Sequence, residues 1–316
     1  MAVAPSQVIQ LNIDALNALK LVIDSCIPGA CDIILERTGY VVVTGMGKSG
    51  HIGAKIAATL ASTGTNAFFV HPAEMSHGDL GMLRNDCTLL AISNSGESRE
   101  LRDPLMFCQR NRIPVIGMTQ RTGSLLDRMA TATLLMPTVA EACPNGLAPT
   151  TSTLMTLALG DALSIALMDR RGFSVEDFGM THPGGALGMK LQTVREWVTY
   201  NHSSPAKVTV EAPFSEVVAA ITEGRKGAVA VVSAEGRLVG MITDGDVRRA
   251  FARDVTNLVA DEIMSASPIV IGSDARMGDA LDLIAANKIS SLLVVEAGFP
   301  IAIIHIADLI QAGYVR

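Results

Sequence analysis

The sequence predicts an α/β protein, a parallel sheet sandwiched by helices and followed by a C-terminal β-α repeat module. Three observations carry that expectation. Short apolar runs alternate with helical stretches between residues 40 and 136, as strands do when both faces are covered by crossover helices. Hydrophobic residues make up 49% of the 316 residues but aromatics only 4%, an aliphatic composition in a chain long enough for two domains. The C-terminal third repeats itself: Ala220–Gly236 aligns without gaps on Asp282–Gly298, and Arg237–Ala250 on Phe299–Ala312, a constant offset of 62 (282 − 220).

In chain order, residues 7–37 carry helical periodicity through Val8, Leu11, Ile13, Leu16 and Leu19, then Ile33 and Ile34. Strands are expected at 40–44, 67–70, 87–92, 113–117 and near 132–136, with helices at 49–62, 98–111 and around 124–130. Ligands of such sheets bind at the strands' carboxyl ends. Pro149-Thr150-Thr151-Ser152 opens a helix over 149–171, a start with capping hydroxyls. A turn follows at His182-Pro183-Gly184-Gly185, and the stretch 196–207 is the best boundary. The expected domains are therefore 1–197 and 198–316, the second made of repeats at about 198–257 and 258–316. Each repeat reads as helix, strand, a turn at Gly236 or Gly298, strand, helix. A unit so short cannot close a core alone, so the two should pack together as one pseudo-symmetric module.

The formal net charge of −6 and the lack of any dense Lys/Arg run argue against nucleic acid or an anionic membrane as partner. No basic region with an apolar core opens the chain, and no apolar run reaches the roughly 18 residues of a membrane span. A cytoplasmic location is expected. The five cysteines, Cys26, Cys31, Cys87, Cys108 and Cys143, show no CxxC pairing, which fits packed reduced thiols better than a disulfide frame or zinc site.

Two stretches carry the chemistry: Val41–His51 (VVVTGMGKSGH) and Leu89–Ser98 (LLAISNSGES). In each, an apolar strand empties into a glycine- and hydroxyl-rich turn before a helix, where backbone N–H groups and hydroxyls can cradle a phosphate. Gly45-Met46-Gly47-Lys48-Ser49-Gly50 matches G-x-G-x-x-G, so a dinucleotide site is one reading. Yet the next strand, Phe68-Phe69-Val70, ends in His71, where a nicotinamide dinucleotide would want an acidic residue for its ribose. A Walker A loop would need glycine at Val42. A phosphosugar cradle keeps the glycines and also explains the second loop. For Ser95 alone, a capped turn without ligand is the alternative.

The ordered motifs resemble the D-arabinose 5-phosphate isomerases. Besides the two loops, these are Phe68–Pro72 (FFVHP), His77–Gly81 (HGDLG), Glu141–Pro144 (EACP), Leu147–Thr150 (LAPT) and His182–Gly188 (HPGGALG). The resemblance implies a sugar isomerase (SIS) domain followed by a tandem CBS pair. It implies interconversion of D-ribulose 5-phosphate and D-arabinose 5-phosphate, supplying Kdo for lipopolysaccharide or capsule, in a homotetramer without a required cofactor. The family's catalytic Lys, two Glu and His fall on Lys48, Glu100, Glu141 and His182. Substrate contacts are expected at Gly47, Ser49, Gly64, Thr65, His71, His77, Ser93, Asn94, Ser95 and Ser98, with an inhibitory zinc at His71. In the first CBS copy, Thr243 and Asp246 match residues that hold a nucleotide ribose. The second copy has Ala302, His305 and Ile306 where the first has Gly240, Thr243 and Asp244, and retains Asp308 opposite Asp246. A packing module without ligand is the equal alternative there.

Moving a carbonyl between C1 and C2 of a pentose phosphate needs a base at carbon, and burial in a cleft would raise a carboxylate towards neutrality for that task. Glu100 or Glu141 fills the role, with Glu141 preferred. Lys48 would stabilise the oxyanion or hold the phosphate, and His182 would pass protons between the sugar oxygens. The runner-up is a sugar-phosphate-sensing regulator that binds without turnover. About 40 residues precede the first strand, too few for a DNA-reading helical module plus linker.

Overall fold

A computed structural model describes residues 4–184, 186–201 and 204–314. Contacts divide the chain into two compact units, 1–178 and 179–316.

The first unit opens with α1 (Pro5–Leu35), one helix that buries Ala15, Leu19, Ile27, Ala30, Cys31 and Ile34. It therefore matches the periodic stretch read from the sequence. There follow β1 (Val41–Gly45), α2 (Gly47–Ser62), β2 (Ala67–Phe69), α3 (Pro72–Met75), β3 (Thr88–Ile92), α4 (Arg102–Asn111), β4 (Val115–Thr119), α5 (Leu125–Met129), β5 (Ala132–Leu135), α6 (Thr151–Arg171) and α7 (Val175–Thr181), the last running across the division. The five strands form one parallel sheet in the order β2-β1-β3-β4-β5. Residues of β1, β3 and β4 are buried throughout, which is why their sequences are unbroken apolar runs rather than alternations.

One face of the sheet packs on α1, α2 and α6 through Leu19, Ile56, Leu60, Leu90, Ile116, Leu159 and Leu163. The other packs on α3, α4 and α5 through Met75, Leu89, Leu101, Leu105, Cys108 and Leu126. Among the described residues only α6 is long and apolar enough to cross a membrane. Its apolar face is filled by core contacts at Met155, Leu159, Leu163 and Leu167. All five cysteines are free thiols, and burial, with Cys87 nearby, pushes the Cys108 thiol up to about 12.

The second unit contains α8 (Ala186–Leu191) and α9 (Val194–Tyr200), then the two repeats: β6 (Lys207–Thr209), α10 (Phe214–Gly224), β7 (Ala228–Val232), β8 (Leu238–Thr243) and α11 (Asp244–Ala250), followed by β9 (Val270–Gly272), α12 (Met277–Asn287), β10 (Ser291–Glu296), β11 (Phe299–His305) and α13 (Ile306–Gln311). Each repeat gives a three-stranded sheet, β6-β7-β8 and β9-β10-β11. Gly236 and Gly298 turn the hairpins at φ +80° and +87°, where a side chain would be strained. Ala228, Ala230, Met241, Leu293 and Ile303 form one buried cluster drawn from both repeats, so the copies share a core as expected.

The division between the units precedes the boundary read from the sequence. The reason is α9: Val194 and Trp197 are buried with Met277, Leu292 and Ile304 of the second repeat. The stretch at 196–207 includes His202 and Ser203, which lie outside the described residues, as does Gly185 of the His182 motif.

Candidate active site

Strand β1 lies between β2 and β3, with Gly45 in register with Ile92. From β1 the chain turns into α2 on one face, and from β3 it turns towards α4 on the other. This is a topological switch point, where diverging loops leave a crevice at the carboxyl edge of the sheet. Both glycine and serine loops open there, side by side.

The first loop needs its glycines for close packing. A Cβ on Gly50 would stand 2.5 Å from the Gly45 carbonyl oxygen, and Gly47 has φ +53°. Helix α2 has no side-chain cap, so its first N–H groups face the crevice with only solvent or a ligand to satisfy them. Lys48 is exposed and Ser49 half-buried in that first turn.

The second loop is bolted to its surroundings. Gln120 N donates to Asn94 O (3.2 Å) and Leu126 N to Gly96 O (3.0 Å), while Leu125 N donates to Glu97 Oε1 (3.0 Å). Ser93 Oγ lies 2.8 Å from Ser98 Oγ and accepts from Gly96 N at 3.1 Å. At 3% exposure Ser93 is interior, so it shapes the loop and offers little to a ligand. Asn94 and Ser95 are exposed and Ser98 is half-buried; these are the groups left to meet a phosphate. Ser49→Ala and Ser95→Ala are each expected to raise KM for the phosphosugar about tenfold with kcat nearly unchanged, as initial rates against substrate concentration will show.

His71 lies two residues beyond β2, beside the end of β1, where Thr44 Oγ1 donates to Val70 O (2.8 Å). It lines a shallow depression with Tyr40, Phe68, Asp79 and Met82. His77 is exposed in the turn after α3. No group of three or more His, Cys, Asp or Glu stands together among the described residues. Gly64 and Thr65 sit elsewhere than the sequence reading expected. They precede β2, at the amino end of the sheet, opposite the two loops. Gly64 turns at φ +89° against Phe173, and buried Thr65 accepts from Arg171 Nε at 3.1 Å. Both serve the turn.

Helix α6 brings Glu141 to the crevice side. Lys55 Nζ pairs with Asp161 Oδ1 at 2.5 Å, and Arg171 Nε reaches Thr65 beyond the end of α2. Both pairs are 106 residues apart (161 − 55 and 171 − 65), so α2 and α6 run parallel and their first turns lie level. Packed helices stand about 8–10 Å apart, which sets the scale between Lys48 and whatever caps α6. That cap is Glu141. Its Oε2 accepts from Thr150 N (2.7 Å), Thr150 Oγ1 (3.0 Å) and Ser152 N (3.3 Å), and its Oε1 accepts from Ser152 Oγ.

Burial alone would push the Glu141 carboxyl up, as the sequence reading expected of a catalytic glutamate. The hydroxyl and N–H donors of Ser152 and Thr150 together outweigh it and hold the group below the ordinary glutamate value. Glu141 is therefore an ionised carboxylate. Glu100 lies exposed in the 3-10 turn Arg99–Leu101 that continues the second loop. His182 belongs to the second unit, half-buried, with Nδ1 3.0 Å from Thr181 Oγ1. Thr150 and Ser152 were legible only as caps for their own helix. Cys143, read as a packed thiol, is half-buried with its sulfur among the backbone N–H groups of Ala148, Leu147, Asn145 and Gly146, which hold it below the usual thiol range.

In the first CBS-like repeat, Thr243 and Asp246 form the capping box of α11. Asp246 Oδ2 accepts from Thr243 N (2.8 Å) and Oγ1 (2.6 Å), and its Oδ1 meets Arg249 at 2.5 Å. Asp308 of the second repeat is held by Lys226 at 2.6 Å. Both aspartates are thus engaged within the chain.

Residues 34–166 match the SIS domain family, and residues 194–253 and 259–314 match the CBS domain. Arabinose 5-phosphate isomerase KdsD of Pseudomonas aeruginosa is 43% identical over 308 residues, covering 96% of this chain and 94% of that protein. The chain belongs to the arabinose 5-phosphate isomerase family. KdsD of Yersinia pestis is 41% identical over 314 residues, covering 99% of this chain and 96% of its own. Among solved structures, an Escherichia coli CFT073 protein in complex with A5P aligns at TM-score 0.52 and 38% identity, over 55% of this chain and 95% of that one. A phosphosugar isomerase from Bacteroides fragilis assigned to capsule formation aligns at TM-score 0.51 and 34% identity, over 56% and 98%. The family's two domain types thus coincide with the parallel-sheet unit and the paired three-stranded sheets.

Proposed function

We propose that this chain interconverts D-ribulose 5-phosphate and D-arabinose 5-phosphate by proton transfer through an enediolate. The observation that carries the reading is the pair of loops at the switch point beside an ionised glutamate, in a chain that aligns with isomerases of this name along nearly its whole length. The phosphate would lie against the first turn of α2 and the Asn94-Ser95 turn, since orphan helix N–H groups favour an anion.

In the ketose-to-aldose direction a carboxylate removes a proton from C1. The electron pair left behind forms the C1–C2 double bond and moves the carbonyl electrons onto O2. Lys48 stabilises that oxyanion by its positive charge. A proton then passes from O1 to O2, after which the new C1 carbonyl forms and the carboxylic acid returns its proton to C2. The electrons stay within the sugar, so no redox cofactor enters the balance. Glu141 is the group assigned to carbon. A carboxylate held below its ordinary value is a weak base but a strong conjugate acid, which suits the return of the proton.

We further place the enzyme in the cytoplasm as a homotetramer feeding Kdo synthesis. Exposed Ile9, Ile13 and Leu21 on α1 and Ile165 on α6 give self-association an apolar surface. Purified protein incubated with D-ribulose 5-phosphate is expected to yield D-arabinose 5-phosphate, resolved from D-ribose 5-phosphate by NMR. Binding without product would favour a sensor instead.

A further inference from the structure

The start of α6 is built in an unusual way. Three consecutive hydroxyl residues, Thr150, Thr151 and Ser152, open the helix, yet Thr150 makes no side-chain cap to it. The hydroxyls turn onto the loop that precedes the helix. Thr150 Oγ1 accepts from Ala142 N at 3.1 Å while donating to Glu141 Oε2 at 3.0 Å. Thr151 Oγ1 accepts from Ala142 N at 3.2 Å. Ser152, only 3% exposed, donates its hydroxyl to Glu141 Oε1.

The donors are shared unequally. Oε2 has three donors and Oε1 has one, so Oε2 is saturated and Oε1 keeps a free lone pair. A helix needing only a cap could use the Thr150 hydroxyl on its own N–H groups. Committing these hydroxyls to one carboxylate fixes that carboxylate's orientation and charge instead.

We propose that Thr150 and Ser152 are positioning residues for the proton-transfer step, holding Glu141 ionised with Oε1 as the oxygen that takes the carbon's proton. This rests on the isomerase reading above. Oε2 cannot accept a further proton without losing a backbone N–H donor, whereas Oε1 can accept it while Ser152 rotates to remain a partner.

The test uses Ser152→Ala, Thr150→Val and Ser152→Thr in the full-length protein, with thermal unfolding recorded alongside. Ser152→Ala is expected to lower kcat about tenfold with KM little changed, the loss of one hydrogen bond to a charged group. The acid limb of its kcat/KM profile should move to higher pH, and Ser152→Thr, which keeps the hydroxyl, should restore both. Thr150→Val removes a single hydroxyl and should move the limb the same way, which covers the case of a poorly folding Ser152→Ala. In parallel, carboxyl-13C glutamate labelling follows the titration of Glu141 itself, assigned by its loss in Glu141→Gln. Wild-type turnover with an unchanged profile in Ser152→Ala and Thr150→Val would overturn the positioning role and leave the isomerase standing. Absence of wild-type turnover would overturn the isomerase reading, and the carboxyl titration would then decide: a Glu141 signal titrating identically in wild type and variants overturns the proposal.

Discussion

Glu141→Gln is expected to lower kcat about a thousandfold, within the range for loss of a positioned acid–base group, while arabinose 5-phosphate still binds. The substitution is close to isosteric, and the structure says how the amide will sit. Three donors face Oε2 and one hydroxyl faces Oε1, so the amide oxygen must take the Oε2 position and the NH2 group must point to Ser152. A serine hydroxyl can accept as well as donate, and the start of α6 survives. What disappears is the lone pair on a charged oxygen that takes the carbon's proton. Steady-state kinetics and calorimetric titration with arabinose 5-phosphate separate the two effects; a variant with near-normal kcat would remove Glu141 from the proton path.

The same residue sets a pH dependence of stability. Its native carboxyl lies below the ordinary value, so the stability linked to its charge is fully present above the unfolded glutamate value of about 4.3 and is lost as pH falls through the depressed native one. Melting curves of wild type and Glu141→Gln should therefore converge on the acid side and separate at neutral pH.

Gly50→Ala is expected to destabilise the first unit by about 2 kcal/mol, the usual scale of forced overpacking. Two effects oppose one another. Alanine in a helix interior gains about 1 kcal/mol over glycine, but its Cβ would stand 2.5 Å from the Gly45 carbonyl oxygen and 3.3 Å from the Phe69 ring. The nearer atom is backbone of a fully buried strand and cannot swing aside, so the clash wins. Relief must come from α2 moving off β1, which carries Lys48 and Ser49 with it, and KM should rise as stability falls. Gly29→Ala is the matched control, since a Cβ there meets nothing within 4 Å and the helix gain stands unopposed. Urea unfolding of the two variants should change in opposite directions; a Gly50→Ala variant as stable as wild type, or more so, would mean that Gly50 is dispensable to the packing of α2.

The parallel sheet was legible because β1, β3 and β4 are buried on both faces and carry no alternation to confuse. The repeat was legible because Gly236 and Gly298 mark corresponding hairpin turns, both at positive φ. Edge strands β6 and β9, three residues each with only the middle one buried, leave too little pattern to read. The boundary moved because Trp197 looks like any end-of-helix aromatic until its partners across the second repeat are known. At the site, the loops announced a phosphate, but Ser93 looked the same as Ser95 because the 2.8 Å contact that turns it inward is to Ser98, five residues on. Glu100 and Glu141 stood out only by family resemblance. No periodicity could show that a loop glutamate would collect the hydroxyls of a helix start eleven residues later (152 − 141).

The most direct test is conversion of D-ribulose 5-phosphate in deuterated water, with the product followed by NMR. The expected result is D-arabinose 5-phosphate carrying deuterium at C2, delivered from a carboxyl group that has exchanged its proton with solvent. Bound substrate that neither exchanges hydrogen with solvent nor becomes product would contradict a proton-transfer isomerase built on this cradle.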